Sequence, residues 1–459
     1  MNTRETLDLL REYESRNVLF TEPDGSWPIV WERAKGVNVW DAEGKKYLDL
    51  TAAFGVAAAG HANPRVVKAG QEQMEKLTHA MGDVHPHARK AELARELSRI
   101  TFERWSGEFH GEGFELSAPV KSPKLETRNP KLQTAKTIFC NSGFEAVEAA
   151  LKTAMLTAGK YGVIAFQGGY HGLGYGTLNV AHREFFRAPF RLQLREFGHF
   201  VQFPTRPADL PVVEALMRRH FQRGWVGAVL VEPIQARGGI NVPPPGFLPL
   251  LRRLCDEHKA LLVLDEIYTG FGRTGKWFAC EHTGVIPDII CLGKALTGGF
   301  PLSACVGRAE VMDAAWPPSR GEAMHTSTFL GNPVGCAMAL AQIEELRENK
   351  LAERAAKLGE FLLPELAKIQ PPSPPDASSP KFTITARGMG LMAGLDFRLP
   401  NGAPDGPTAM RVIKAVLREG FILLPEGEHG NVVSLTPPLT ITKAQLTETL
   451  SAFAKILAE

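Results

Sequence analysis

The chain has 459 residues, 44% hydrophobic and 22% charged, with a formal net charge of +2. At roughly 100–200 residues per domain, that length suggests two or three domains around a large core. The near-neutral balance argues against a dedicated nucleic-acid binder, and no apolar run approaches the ~18 residues of a membrane span.

Taken in order, Met1–Arg16 is charged and helical in pattern, with Leu7, Leu9, Leu10 and Tyr13 on one face. It lacks the apolar segment of roughly 7–15 residues that a signal peptide needs, so a reducing cytoplasm is expected. Cys140, Cys255, Cys280, Cys291, Cys305 and Cys336 show no C-x-x-C spacing and read as reduced core residues. Short strands are expected at Pro28–Arg33, Val37–Trp40 and Tyr47–Leu50. Helical stretches follow at Pro64–Leu77 and Lys90–Arg99. Residues 106–136 are polar and irregular and read as a surface insertion.

From Thr137 the pattern changes. Apolar runs at Thr137–Phe139, Gly162–Phe166, Ala228–Val231, Ala260–Leu264, Ile289–Leu292 and Ala304–Val306 alternate with helical stretches. Unbroken runs of this kind predict strands buried on both faces, in a mostly parallel sheet covered by helices. Pro371–Pro380 reads as a linker. Beyond it lie strands at Phe382–Thr385, Gly394–Phe397 and Val432–Leu435, and helices at Met410–Arg418 and Ala444–Ala458. That makes a smaller α+β unit.

Ligands of an open parallel sheet gather outside the carboxyl ends of its strands. Asn141-Ser-Gly-Phe-Glu145 follows the first run and opens a helix. Ser142 there is either a plain helix cap or part of an anion site. Gln167-Gly-Gly-Tyr-His-Gly172 follows the second run, a glycine-rich turn that lets backbone approach something flat or charged. Glu232-Pro-Ile-Gln235 and Asp265-Glu266 follow the next two. Lys294 lies between an apolar strand and Gly298-Gly299. A lysine desolvated there loses proton affinity and becomes a nucleophile for Schiff-base chemistry. Gly270–Lys276 imitates a phosphate-binding P-loop, but Trp277 stands where a magnesium-binding Ser or Thr is required.

In this order and spacing, the motifs resemble the class III pyridoxal-phosphate aminotransferases, from Gly60-His61-Ala-Asn-Pro64 to Asn431–Leu439. His325-Thr-Ser-Thr-Phe-Leu-Gly-Asn-Pro333 adds to the match. The resemblance implies a fold-type-I homodimer, or a pair of dimers, with active sites at the subunit interface. It implies a large domain over residues 63–336. A small domain would come from both chain ends, residues 1–62 and 337–459. It makes pyridoxal 5'-phosphate the cofactor. Lys294 would hold it as a Schiff base and then shuttle the proton, while Asp265 would pair with the pyridine nitrogen. Ser142, Gly143 and the Phe144 amide would take the phosphate, with Thr328 reaching it from the partner subunit. Tyr170 would stack on the ring with His171 beside it. Glu232 and Gln235 would line its edge, and Phe54 the substrate pocket.

The chain departs from the family at informative places. Relatives that handle amino acids often carry an Arg before the P-P-L segment; Ser434 stands there. They often place a Glu five residues after the E of E-P-I-Q; Arg237 stands there. The expectation is that Arg237 binds a substrate carboxylate. Tyr268 replaces the usual Gln and is expected to offer its hydroxyl towards the cofactor. The expected reaction moves nitrogen from a donor of the 4-aminobutyrate or ornithine type to 2-oxoglutarate or pyruvate. An amino-acid racemase or aminomutase on the same scaffold is the alternative. A silent binding protein is a further one, disfavoured by the intact Lys294 and Asp265.

Overall fold

The apolar runs of the middle of the chain pair into one seven-stranded sheet in the computed structural model, which describes residues 1–22, 25–106, 134–371 and 381–458. In chain order the strands are β1 (Ala135–Cys140), β2 (Gly162–Phe166), β3 (Gly198–Val201), β4 (Val226–Val231), β5 (Leu261–Asp265), β6 (Ile289–Leu292) and β7 (Ser303–Arg308). They lie side by side as β1-β7-β6-β5-β4-β2-β3. All of β2, β4 and β6 is buried, as their continuous apolar sequences require.

From β6 through β3 every pairing is parallel. Only β7 runs against its neighbours, β6 and β1. The chain between β6 and β7, residues 293–302, is shorter than the dozen or so residues a parallel crossover needs. Two successive reversals leave β1 pointing the same way as β6. The carboxyl ends of β1, β2, β4, β5 and β6 therefore open on one edge of the sheet.

Helix α1, Gly143–Ala158, starts at the end of β1 and ends at Gly159, whose φ of +64° closes the helix in the left-handed region. Its Ala146, Val147, Ala149, Ala150 and Ala154 pack on one face of the sheet. The other face joins the larger core, which continues into the C-terminal segment. Strand β3 was not anticipated; only Val201 of its four residues is buried, so its apolar signal is weak.

Both chain ends share a further sheet. Trp31–Lys35, Asn38–Asp41 and Lys46–Asp49 form a meander, and Phe421–Ile422 adds to it in parallel. A last, antiparallel sheet holds Thr383–Met389, Met392–Arg398, Val432–Leu435 and Leu424–Glu426. The expected insertion at 106–136 and linker at 371–380 fall almost wholly outside the described residues. All six cysteines are buried and free. Among the described residues, no helix is long and apolar enough to cross a membrane.

The P-loop look-alike is core. Gly270–Gly275 is buried, and the fully buried Arg273 donates to the carbonyls of Leu391 and Pro437. It ties the loop after β5 to the C-terminal segment.

Candidate active site

The strand ends converge on a cavity of about 370 Å³, lined by Gly143, Tyr170, Glu232, Arg237, Asp265 and Lys294 among others. Lys294 follows β6 with a φ of +41°, a left-handed conformation that a lysine adopts only where its surroundings impose it. Asp265 is the last residue of β5 and Glu232 the first beyond β4.

Asp265 is 5% exposed. Its Oδ1 accepts from the Ile267 amide at 3.1 Å, and its Oδ2 lies 2.8 Å from His171 Nδ1. Burial works to lower the pKa of His171, but the hydrogen bond and charge of Asp265, with Glu232 behind, raise it on balance. His171 thus orients Asp265, a more specific placement than lying beside Tyr170.

Glu232 is a staple. Its two oxygens accept from the Tyr170 and Ala236 amides, both at 3.0 Å, and so tie the aromatic turn to the Arg237 loop. Burial pushes its carboxyl up to about 7, with Asp265 adding to the rise and His171 opposing it. Burial also lowers the proton affinity of Lys294. Asp265, Glu232 and Glu426 oppose that shift, and Arg237 reinforces it.

A cofactor with a phosphate and a flat ring fits this site. Ser142 precedes α1, yet its Oγ makes no capping hydrogen bond and is buried without any partner. That removes the plain-cap reading. An unsatisfied hydroxyl at the positive end of a 16-residue helix is an anion-binding arrangement. Gly143 and Gly172 let the segments around that helix start pack closely: a Cβ would come within 3.0 Å of Ile267 at Gly143 and 2.2 Å of Phe144 at Gly172.

Other expected residues lie elsewhere. Gln235 does not line the cavity: its amide donates to the Gln167 carbonyl at 2.7 Å and accepts from Asn241 at 3.0 Å, holding the loop. Thr328 is exposed on the chain's own surface. Phe54 is 48% exposed, on a turn where Ala52, Ala53 and Phe54 all have positive φ. Tyr268 does line the cavity, and its hydroxyl bonds to Thr436 Oγ1 at 3.0 Å.

Sequence reasoning missed Ile267 and Glu426. Ile267 lines the cavity and underlies Gly143 and Gly293; its place two residues past Asp265 was the available signal. Glu426 comes from the last sheet, and no local pattern announces it. Its buried carboxylate lies 3.6 Å from Arg237 Nε. The Arg237 guanidinium also sits 5.4 Å from the Tyr170 ring centroid. Ser434 is buried and donates to the Leu424 carbonyl at 3.1 Å, so it faces its own sheet.

Comparisons with known proteins converge on one family. The family model described as "Aminotransferase class-III" matches residues 20–457. The 5-aminovalerate aminotransferase of Pseudomonas aeruginosa is 34% identical, over 94% of each chain. The putrescine aminotransferase of Pectobacterium atrosepticum is 35% identical, over 99% of this chain and 88% of its own. A PLP-bound amine transaminase from an uncultivated Pseudomonas species superposes with a TM-score of 0.80 at 27% identity, covering 97% of this chain and 98% of its own.

Proposed function

The chain belongs to the class III aminotransferases, which are pyridoxal-phosphate enzymes, and from that premise we propose that its donor carries both a terminal amine and a carboxylate, of the 4-aminobutyrate or ornithine type, with 2-oxoglutarate or pyruvate as acceptor. The carrying observation is the Arg237 guanidinium at the cavity wall while Ser434 is turned into its own sheet. The bound cofactor supplies an electron sink for the charge that develops at the donor carbon.

The chain's own residues do the rest in this reading. Lys294 Nζ is the nucleophile that anchors the cofactor and the base that moves the proton of the amine-bearing carbon. Burial keeps more of it neutral and able to do both. Asp265, held by His171 and the Ile267 amide, pairs with the pyridine nitrogen. Ser142 Oγ and the first amides of α1, those of Gly143 and Phe144, take the phosphate. Tyr170 and Ile267 confine the ring within the cavity. Arg237 takes the donor carboxylate. In a homodimer, exposed Thr328 adds a hydroxyl to the partner subunit's phosphate site. The division into a large domain at 63–336 and a small one from both ends belongs to the same reading, supported by the sheet that both ends share.

Arg237→Ala tests the substrate assignment. The KM of carboxylate-bearing donors rises about 10–100-fold, the cost of losing a charge-assisted hydrogen bond of ~1.5–3 kcal/mol, while that of a plain diamine moves little. Unchanged affinity for every acidic substrate refutes it.

A further inference from the structure

Tyr268 is buried and touches three parts of the site at once. Thr436 Oγ1 donates to the Thr51 carbonyl at 3.2 Å. A hydroxyl has one hydrogen, so Tyr268 is the donor in its 3.0 Å bond to Thr436, and the phenol hydrogen is committed there. The ring lies against the left-handed turn at Ala52–Gly55: a Cβ on Gly55 would come 3.0 Å from Tyr268 Cε1. Lys294 Nζ lies over the same ring, 4.9 Å from its centroid. The hydroxyl anchor and the packed turn leave the ring no freedom to leave the lysine.

We propose that the Tyr268 ring is a positioning residue for Lys294, holding the ammonium form of the free lysine through a cation–π contact and so setting how firmly that lysine keeps its proton. A cation within ~6 Å of an aromatic face is attracted by the ring quadrupole, most strongly where water is excluded. Burial disfavours the ammonium form, and the ring acts against that effect, so the two together set the balance between the forms. Asp265, Glu232 and Glu426 also face Lys294 and favour its charge, whereas Arg237 opposes it. The ring adds a neutral contribution that does not compete with these carboxylates for other cations; the phenol stays protonated, pushed up to about 12 by burial.

The inference rests on the reading of Lys294 as the anchoring lysine, and its test separates the two. The full-length chain, freed of cofactor, is labelled with an amine-specific acylating reagent from about pH 6 to about pH 10, and peptide mass spectrometry follows Lys294. Tyr268→Phe keeps the ring and keeps the wild-type midpoint. Tyr268→Leu removes the ring and lowers the midpoint by roughly one pH unit, about a tenfold change in proton affinity. Tyr268→Met serves the same comparison if the leucine variant does not fold. A midpoint unchanged without the ring, or lowered as far by Tyr268→Phe, overturns the proposal. Borohydride reduction of the loaded wild-type protein maps the attached lysine separately. Attachment at Lys294 supports the underlying reading, and attachment elsewhere overturns it.

Discussion

Gly172→Ala is the sharpest single perturbation this site allows. Gly172 has a φ of +98°, which an alanine adopts only under strain, and its added Cβ would lie 2.2 Å from Phe144 Cβ and 3.1 Å from Phe144 Cα. The backbone contribution costs about 1–3 kcal/mol. The overlap costs about 1–3 kcal/mol more, because Phe144 sits in the first turn of α1 and moves only with the helix start. At ~2.1 cal/mol/K of unfolding entropy per residue, a chain this long loses about 1 °C of Tm per kcal/mol. Gly172→Ala therefore lowers Tm by about 2–6 °C. The same displacement moves the Ser142–Phe144 segment, so cofactor affinity falls at least tenfold, measured by absorbance titration of the cofactor-free chain. The double variant Gly172→Ala/Phe144→Gly removes the overlap and leaves the φ strain, so a thermodynamic cycle shows a coupling of about 1–3 kcal/mol. Wild-type Tm and wild-type cofactor affinity in the single variant would refute the reasoning.

Three further outcomes follow from the same geometry. Ser142→Ala leaves Tm within about 1 °C, because the hydroxyl has no protein partner, but weakens cofactor binding about tenfold; unchanged binding removes Ser142 from the phosphate site. His171→Phe leaves Asp265 with the Ile267 amide as its remaining hydrogen-bond donor and lowers cofactor affinity about 10–100-fold, read by the same titration; wild-type affinity shows that Asp265 needs no such support. Glu426 has a folded-state carboxyl pushed by burial to about 7 from the ordinary 4.5. Between those values the folded state holds a proton that the unfolded state has released, so this group's contribution to stability falls as pH rises. Glu426→Gln cannot titrate, so it gains stability relative to wild type from pH 5 to pH 8, by about 3 kcal/mol at most. A pH-independent difference in denaturation midpoints refutes this.

Much of the site was legible because its residues occupy strand ends. A buried parallel strand announces itself as an apolar run, and the residues just beyond its carboxyl end must face the ligand edge. That logic found Lys294, Asp265, Glu232 and the Tyr170-His171 turn without any knowledge of how the strands are ordered. It misplaced Gln235, because a polar side chain's direction depends on partners far away in sequence, here the Gln167 carbonyl 68 positions earlier. It had no means of finding Glu426, which reaches Arg237 across 189 positions from a sheet built last in the chain.

The sequence by itself determined the fold class, the family and most of the residues that line the cavity at the strand ends, since periodicity and motif spacing are local properties of the chain. Only the tertiary structure decided which charges pair. It gave His171 to Asp265, set Glu426 opposite Arg237, turned Ser434 into its sheet and laid Tyr268 under Lys294. The reason is physical: hydrogen bonds and ion pairs are short-ranged and directional, so they form only after packing has brought distant segments to within a few ångströms.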